Sequence, residues 1–354
     1  MSFLKKITYR PFIIKLFNWE YWSFNAVYGP IYLYWLWLAI KSRSFFFFNA
    51  ANPSIENGGF LLESKNEIYK LIPEEYYPKT ISLKKGVSLA RALCSMKEAG
   101  LSYPLIAKPD IGARGRMVSV IKNDEELKAY LTNIKENFLL QELVEWEYEA
   151  GIFYYRYPQE SSGHISGIVA KEFLTVTGDG MSTIEELLNR NKRFVLQIQA
   201  LIKVYGEKLK TVLNKGEKKI LVPYGNHARG SKFLDASHEI DEDLTKTIDT
   251  ICKKIPGFCF GRMDIKFNSW DELRQGKNFS IIELNGSGSE PTHIYDPKHS
   301  IFFAWKEIIR HWVLLQRISV LNHKLYNIPY MSYKAGMQML KGNKMHLKLT
   351  AENN

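Results

Sequence analysis

Two short apolar runs in the last third of the chain constrain it most: Gly261-Arg-Met-Asp-Ile-Lys-Phe and, after a polar loop, Ile281-Ile-Glu-Leu-Asn-Gly. Each reads as a strand, and residues two apart on a strand share a face, so Glu283 and Asn285 point the same way. Asp264 meets them if the runs pair as antiparallel neighbours across the 268–278 loop. Two carboxylates and an amide oxygen on one sheet face suit Mg²⁺ (or Mn²⁺), which takes hard oxygen ligands and leaves room for substrate phosphates. Arg262 shares the face of Asp264 and adds a fixed positive charge. The bland alternative is a set of polar residues at strand ends.

Composition narrows the class. The chain has 354 residues, 45% hydrophobic and 24% charged, enough for two or three domains with substantial cores. Three scattered cysteines, Cys94, Cys252 and Cys259, fit neither a disulfide framework nor a zinc spacing, and they point to a reducing compartment. The net charge of +11 is concentrated at the ends. Residues 1–43 hold six Lys/Arg and one acid, residues 301–354 hold eight and two, and the middle balances 34 against 34. Basic ends that are also aromatic and apolar suit an anionic membrane surface better than nucleic acid, and no DNA- or RNA-reading motif occurs.

Between Tyr21 and Ile40 there is no charged residue, and eight of the twenty positions are aromatic. The run is long enough to cross a bilayer, but Asn25, Gly29 and Pro30 interrupt it, and Trp and Tyr favour the headgroup level. Three readings stand: a segment lying in the membrane plane, a buried helix or oligomer contact, and a true span. A cleaved signal peptide is not expected, because the apolar region starts late.

Strand and helix patterns alternate through the middle of the chain, which predicts α/β or α+β packing around a sheet. Helices are expected at 64–72, 86–100, 124–133, 182–191, 195–204 and 244–255, with one or two more after Ile301. Strands are expected at 78–83, 105–109, 117–121, 138–143, 148–157 and 166–174.

Two further segments carry chemistry. Lys108-Pro-Asp-Ile-Gly-Ala-Arg-Gly-Arg lies between two strands; Gly112 and Gly115 permit a tight turn with N–H groups facing an anion, beside Lys108, Arg114 and Arg116. It is neither a Walker loop nor a dinucleotide fingerprint, and a basic hairpin turn is its plain alternative. Leu139-Leu-Gln-Glu-Leu-Val-Glu-Trp-Glu is a strand running into an acidic link, suited to an adenine edge and ribose hydroxyls, or simply a solvated loop.

In this order the segments resemble the ATP-grasp superfamily over about residues 61–300, nearest the D-alanine–D-alanine ligase and cyanophycin synthetase-like branches. The latter is similar in Gly178-Asp-Gly followed by Thr183-Ile-Glu-Glu-Leu. The resemblance implies an α+β fold in which two α/β subdomains clasp ATP between antiparallel sheets, with added N- and C-terminal helices. It implies a basic aromatic segment at 1–60, a linker at 61–100, the small subdomain at 101–145, the large one with the Mg²⁺ site at 146–300, and basic helices at 301–354. Lys65 and Lys108 match the family's phosphate-contacting lysines, and Gly112 to Gly115, with Arg114, its mobile loop. Gln141, Glu142 and Val144 match the adenine strand and hinge, and Glu147 the ribose carboxylate. Asp264, Glu283 and Asn285 match the metal ligands, and Arg262 the catalytic arginine. Lys171 and the Asn226-His-Ala-Arg-Gly-Ser stretch are further candidates, with a solvated Lys171 and a structural His227 as alternatives.

The implied activity is an ADP-forming carboxylate–amine or carboxylate–hydroxyl ligase acting through an acyl-phosphate. Its substrate is expected to be a small molecule, a peptide or a saccharide, in a cell-envelope or polysaccharide setting. A kinase-like phosphotransferase and a non-catalytic nucleotide-binding module are the alternatives. The chain departs from the D-alanyl ligases after Asn285 and lacks their N-terminal substrate domain, so D-alanine is not inherited as substrate. Glu290 and His293 are candidates to meet the acceptor instead. The expected setting is cytoplasmic, peripheral to the inner face of the membrane; a homodimer is compatible with the sequence.

Overall fold

In the computed structural model, residues 9–112, 115–222, 225, 227 and 230–351 are described. The strands are β1 (Thr80–Leu83), β2 (Leu105–Pro109), β3 (Ser119–Ile121), β4 (Phe138–Glu142), β5 (Tyr148–Tyr155), β6 (His164–Glu172), β7 (Leu174–Thr177), β8 (Lys218–Val222), β9 (Lys232–Asp235), β10 (Phe260–Phe267) and β11 (Phe279–Asn285). They form a four-stranded sheet ordered β1-β4-β2-β3, a five-stranded sheet ordered β11-β10-β5-β6-β9, and the pair β7-β8. The fold is α+β, and its first two sheets are the antiparallel pair that the ATP-grasp resemblance implies.

The chain divides into two compact units. The larger joins Leu33–Ile168, Ala236–Pro291 and the chain from Ile308 on; the smaller joins the segment ending at Tyr32 with Val169–Asp235 and Thr292–Glu307.

In the larger unit, side-chain caps set where helices begin: Ser64, Ser88, Asn123, Asp241 and Ser269 each accept a backbone N–H of the first turn. The helices Leu89–Glu98 and Asp124–Asn133 cover the four-stranded sheet and share a core with Leu105, Leu127, Phe138 and Leu140, all fully buried. On β10, Met263, Ile265 and Phe267 are at most 1% exposed and form the buried face, which leaves Arg262, Asp264 and Lys266 on the other.

From Leu33 on, the aromatic N-terminal stretch is an integral part of this unit. Phe46, Phe47 and Phe48 pack with Phe153, Phe260, Leu315 and Ile318. Fully buried Asn52 donates to the carbonyls of Gly58 and Phe260 and accepts from the N–H groups of Cys259 and Phe260. That side chain fixes the 52–59 turn against the start of β10. Gly58 and Gly59 in turn accept from the N–H groups of Ser287 and Gly288, just past Asn285. Gly59 has φ +72° and a Cβ there would lie 2.6 Å from Gly286 Cα, so only glycine fits.

In the smaller unit, β7 and β8 pack with Leu188, Leu201, Leu209 and Leu213. The Gly178-Asp-Gly element is a turn held by Asp179, whose carboxylate accepts from the N–H groups of Met181 and Ser182 and from Arg190. The following Thr183 and Glu186 form a capping box. Glu20 is clasped by Arg193 at 2.5 Å and His227 at 3.0 Å.

The uncharged run at 21–40 is not one helix. It breaks into the helix Phe24–Tyr28, a 3₁₀ turn at Gly29–Ile31 and the helix Tyr32–Ser42, as the glycine and proline dictate. No helix among the described residues is long and apolar enough to cross a membrane. The C-terminus forms two helices, Ile301–Tyr326 and Tyr333–Ala351.

Candidate nucleotide and metal site

The two runs that opened the sequence reading pair antiparallel as β10 and β11. Asp264 lies opposite Glu283 and Arg262 opposite Asn285, so all four side chains start from one face of the larger unit's sheet. The register then skips: Ile265 pairs with Ile281, and Ile282 has no counterpart on β10. This is a β-bulge, a device that re-aims one residue of a strand. Here it gives the Ile282 carbonyl to the neighbouring sheet.

Lys108, on β2, receives it. Its ammonium is buried and donates to the Tyr69 hydroxyl (2.9 Å), Gln141 Oε1 (2.8 Å) and the Ile282 carbonyl (3.1 Å). Tyr69 itself donates to the same carbonyl at 2.5 Å, and Gln141 donates onward to Thr80 at 2.7 Å. Burial pulls the Lys108 pKa down to about 8, against the opposing pull of Glu283.

Lys65 sits in the first turn of the helix Lys65–Tyr69, which Ser64 caps and Asp110 braces through Ser64 and the Asn66 N–H. The Lys65 ammonium donates to the Gly112 carbonyl at 2.6 Å and lies 3.7 Å from Glu283. The glycine loop, the first lysine and the second strand carboxylate therefore meet. Gly112 and Gly115 both have positive φ, 150° and 67°. Arg114 lies outside the described residues.

Arg262 is bound to Asp264, with Nε to Oδ1 at 2.8 Å and Nη2 to Oδ2 at 3.3 Å, and it donates to the Glu290 carbonyl at 3.1 Å. Burial works against the Arg262 charge, but Asp264 above all, with Glu283 and Glu290, outweighs it and holds the guanidinium above its usual range. Asp264 is buried in this pair, whereas Glu283 is 35% exposed. The oxygen set suits a hard divalent cation: two carboxylates and an amide start from adjacent, register-paired positions, and one carboxylate, Glu283, is open to solvent.

The hinge side is tied to the same strand. Lys266, two residues beyond Asp264 and on its face, donates to the carbonyls of Val144 (3.0 Å) and Trp146 (3.4 Å). Burial lowers its pKa, against Glu149 and Glu145. Glu142 ends β4, where its N–H bonds the Lys79 carbonyl, and Glu147 is exposed just before β5.

Three neighbours escaped the sequence reading: Tyr69, Lys266 and Glu63. Glu63 is half-buried, with its Oε2 buried and unpartnered; burial raises its pKa, helped by Glu283 and Glu56, against its own backbone N–H and Lys65. Only the alternation Arg262-x-Asp264-x-Lys266 offered a signal, and for Lys266 alone. The other candidates lie in the smaller unit. Lys171 is on β6 opposite Phe233, His227 binds Glu20, and His293 is buried 3.4 Å from Glu307. Asn226, Ala228 and Arg229 lie outside the described residues.

No family model matches the chain, and no curated protein does. Among solved structures it is similar to a bifunctional glutathione synthetase from Pasteurella multocida, at 15% identity and a TM-score of 0.37, covering 70% of this chain and 36% of that one. It is also similar to the VanG D-Ala:D-Ser ligase from Enterococcus faecalis, at 16% identity and 0.41, covering 72% and 61%. A D-alanine–D-alanine ligase from Bacillus anthracis aligns at 13% identity and 0.40, covering 72% and 68%. The chain thus spans about a third of the first and under two thirds of the second.

Proposed function

We propose that the larger unit binds ATP with Mg²⁺ and runs an ADP-forming ligase reaction. The γ-phosphoryl passes to a substrate carboxylate, ADP leaves, and an amine or hydroxyl then displaces phosphate. The observation that carries this reading is that Lys65 bridges the Gly112 carbonyl and Glu283 while Lys108 bonds the adjacent Ile282 carbonyl, with Asp264 and Asn285 on the same sheet face as Glu283.

In this reading Lys65 and Lys108 take phosphate oxygens, and Gly112 and Gly115 offer backbone N–H groups to them. Gln141, Val144 and Glu147 line the base and ribose side, with Lys266 holding the hinge. Asp264, Glu283 and Asn285 hold the cation, which when bound neutralises charge on the phosphates. Arg262 supplies a pre-oriented positive charge where negative charge develops, so positioning and electrostatics do the chemistry without a protein nucleophile.

The basic, aromatic ends favour a cell-envelope or polysaccharide-related substrate, met at the inner face of a membrane. Product analysis tests the reading. With candidate carboxylates, hydroxylamine is expected to trap an acyl hydroxamate as ADP forms. A stable phosphate ester instead would make the protein a kinase, and no substrate-stimulated ADP at all would leave a nucleotide-binding module.

A further inference from the structure

The helix Tyr32–Ser42 is apolar on two sides. One side carries Leu38 and Ala39, 1% and 3% exposed, into the core with Phe47 and Ile318. The other carries Leu33, Leu36, Trp37 and Ile40, at 77%, 43%, 49% and 72% exposure. Their spacing of i, i+3, i+4 and i+7 makes one continuous stripe facing water. Phe45 and Tyr333, 58% and 66% exposed, extend the apolar surface beyond the helix, with ring centroids 6.4 Å apart. A stripe of this kind marks an interaction surface rather than scattered exposure.

We propose that this stripe docks the larger unit in the plane of an anionic lipid bilayer. Charge selects the occupant. Residues 33–55 and 308–351 together hold nine Lys/Arg and no Asp or Glu. Exposed Lys41, Arg43 and Lys334 follow the stripe and Tyr333 in sequence. Lys41 lies over the Trp37 ring, 5.1 Å from its centroid, a pairing suited to the headgroup level. At eleven residues the helix is about 16 Å long, half of what a span needs, so it lies along the surface with its apolar face immersed. The excess of cations in these segments disfavours a second copy of the same surface, which would bring cation against cation.

The inference deepens the membrane-side placement proposed above and is independent of the ligase chemistry. Flotation with vesicles of about 3:1 phosphatidylcholine and phosphatidylglycerol tests it, with pure phosphatidylcholine as comparison. The full chain is expected to float with the anionic vesicles, less so as salt rises, and Leu33→Glu/Ile40→Glu to lower the bound fraction about tenfold. ATP binding, measured on the same samples, is expected to be unchanged in that variant, which separates loss of docking from loss of fold. Wild-type protein that ignores anionic vesicles, or a variant that floats equally well, overturns the proposal. So does a wild-type dimer that the variant splits into monomers without any vesicle binding, which would assign the stripe to a second copy. Vesicle binding without ATP binding would instead sink the ligase reading alone.

Discussion

Lys108 and Ile282 are joined across two sheets: the lysine on β2 donates to the one carbonyl of β11 whose residue has no counterpart on β10. The bulge that spaces Glu283 from Ile281 therefore also determines where the buried ammonium points. In the proposed reading, one irregularity in one strand thus sets both the phosphate-facing lysine and the cation-facing oxygens.

Lys108→Gln is expected to weaken ATP binding roughly 10- to 100-fold, since hydrogen bonds to a charged group are worth about 1.5–3 kcal/mol. The wild-type pH profile has a definite sign. Free Lys108 loses its proton near its pKa of about 8, so ATP affinity falls as pH rises through that value. The variant lacks the step. In the unliganded protein the unfolded lysine keeps its proton to about pH 10.4, so stability rises with pH between about 8 and 10.4 and is flat below. Isothermal titration and urea unfolding across pH check both.

Glu283→Gln is the cleaner of the two carboxylate tests, because Glu283 is partly open to solvent and Asp264 is not. It is expected to abolish ADP formation and to remove the Mg²⁺ dependence of ATP binding, while urea unfolding stays within about 0.5 kcal/mol. Asp264→Ala instead leaves the part-buried Arg262 without its carboxylate partner, with an expected loss of about 3–5 kcal/mol in urea unfolding.

Lys266→Met releases the Val144 and Trp146 carbonyls from their shared donor. The expected outcome is a several-fold rise in KM for ATP with a smaller change in kcat, because the hinge positions the nucleotide rather than the reacting groups. Steady-state kinetics of ADP release measures it.

Asn52→Ala removes four hydrogen bonds at a fully buried site and is expected to cost about 2–4 kcal/mol. Gly59→Ala meets both a positive φ and the Gly286 backbone, so it should perturb the loop after Asn285 and lower activity. Thermal melts and ADP assays on both variants check the link between the N-terminal turn and the site.

What the sequence made legible was local. The i, i+2 spacing of Glu283 and Asn285 follows from strand period alone, and the serine at 64 marks where the first helix of the larger unit's site begins. The helix expected at 124–133 has those bounds, because its Asn cap and acidic first turn, Asp124, Glu125 and Glu126, signal its start. The single run expected at 195–204 instead divides into Lys192–Val195 and Ile198–Tyr205. The short strands β8 and β9 went unread because four or five residues carry too little periodicity. Tyr69 and Glu63 reach the site through tertiary packing, which no spacing records. The basic, aromatic segment expected at 1–60 contributes Phe47, Phe48 and Asn52 to the core of the larger unit, which its composition did not show.

In the proposed reading a nucleotide is held between the buried lysine and the oxygen-bearing strand face. Calorimetric titration of ATP into the wild type, Lys108→Gln and Glu283→Gln, each with and without Mg²⁺, tests it most directly. Tight, Mg²⁺-dependent binding in the wild type that both variants lose is the predicted result. Binding in the variants that equals the wild type's, with or without the cation, would contradict it.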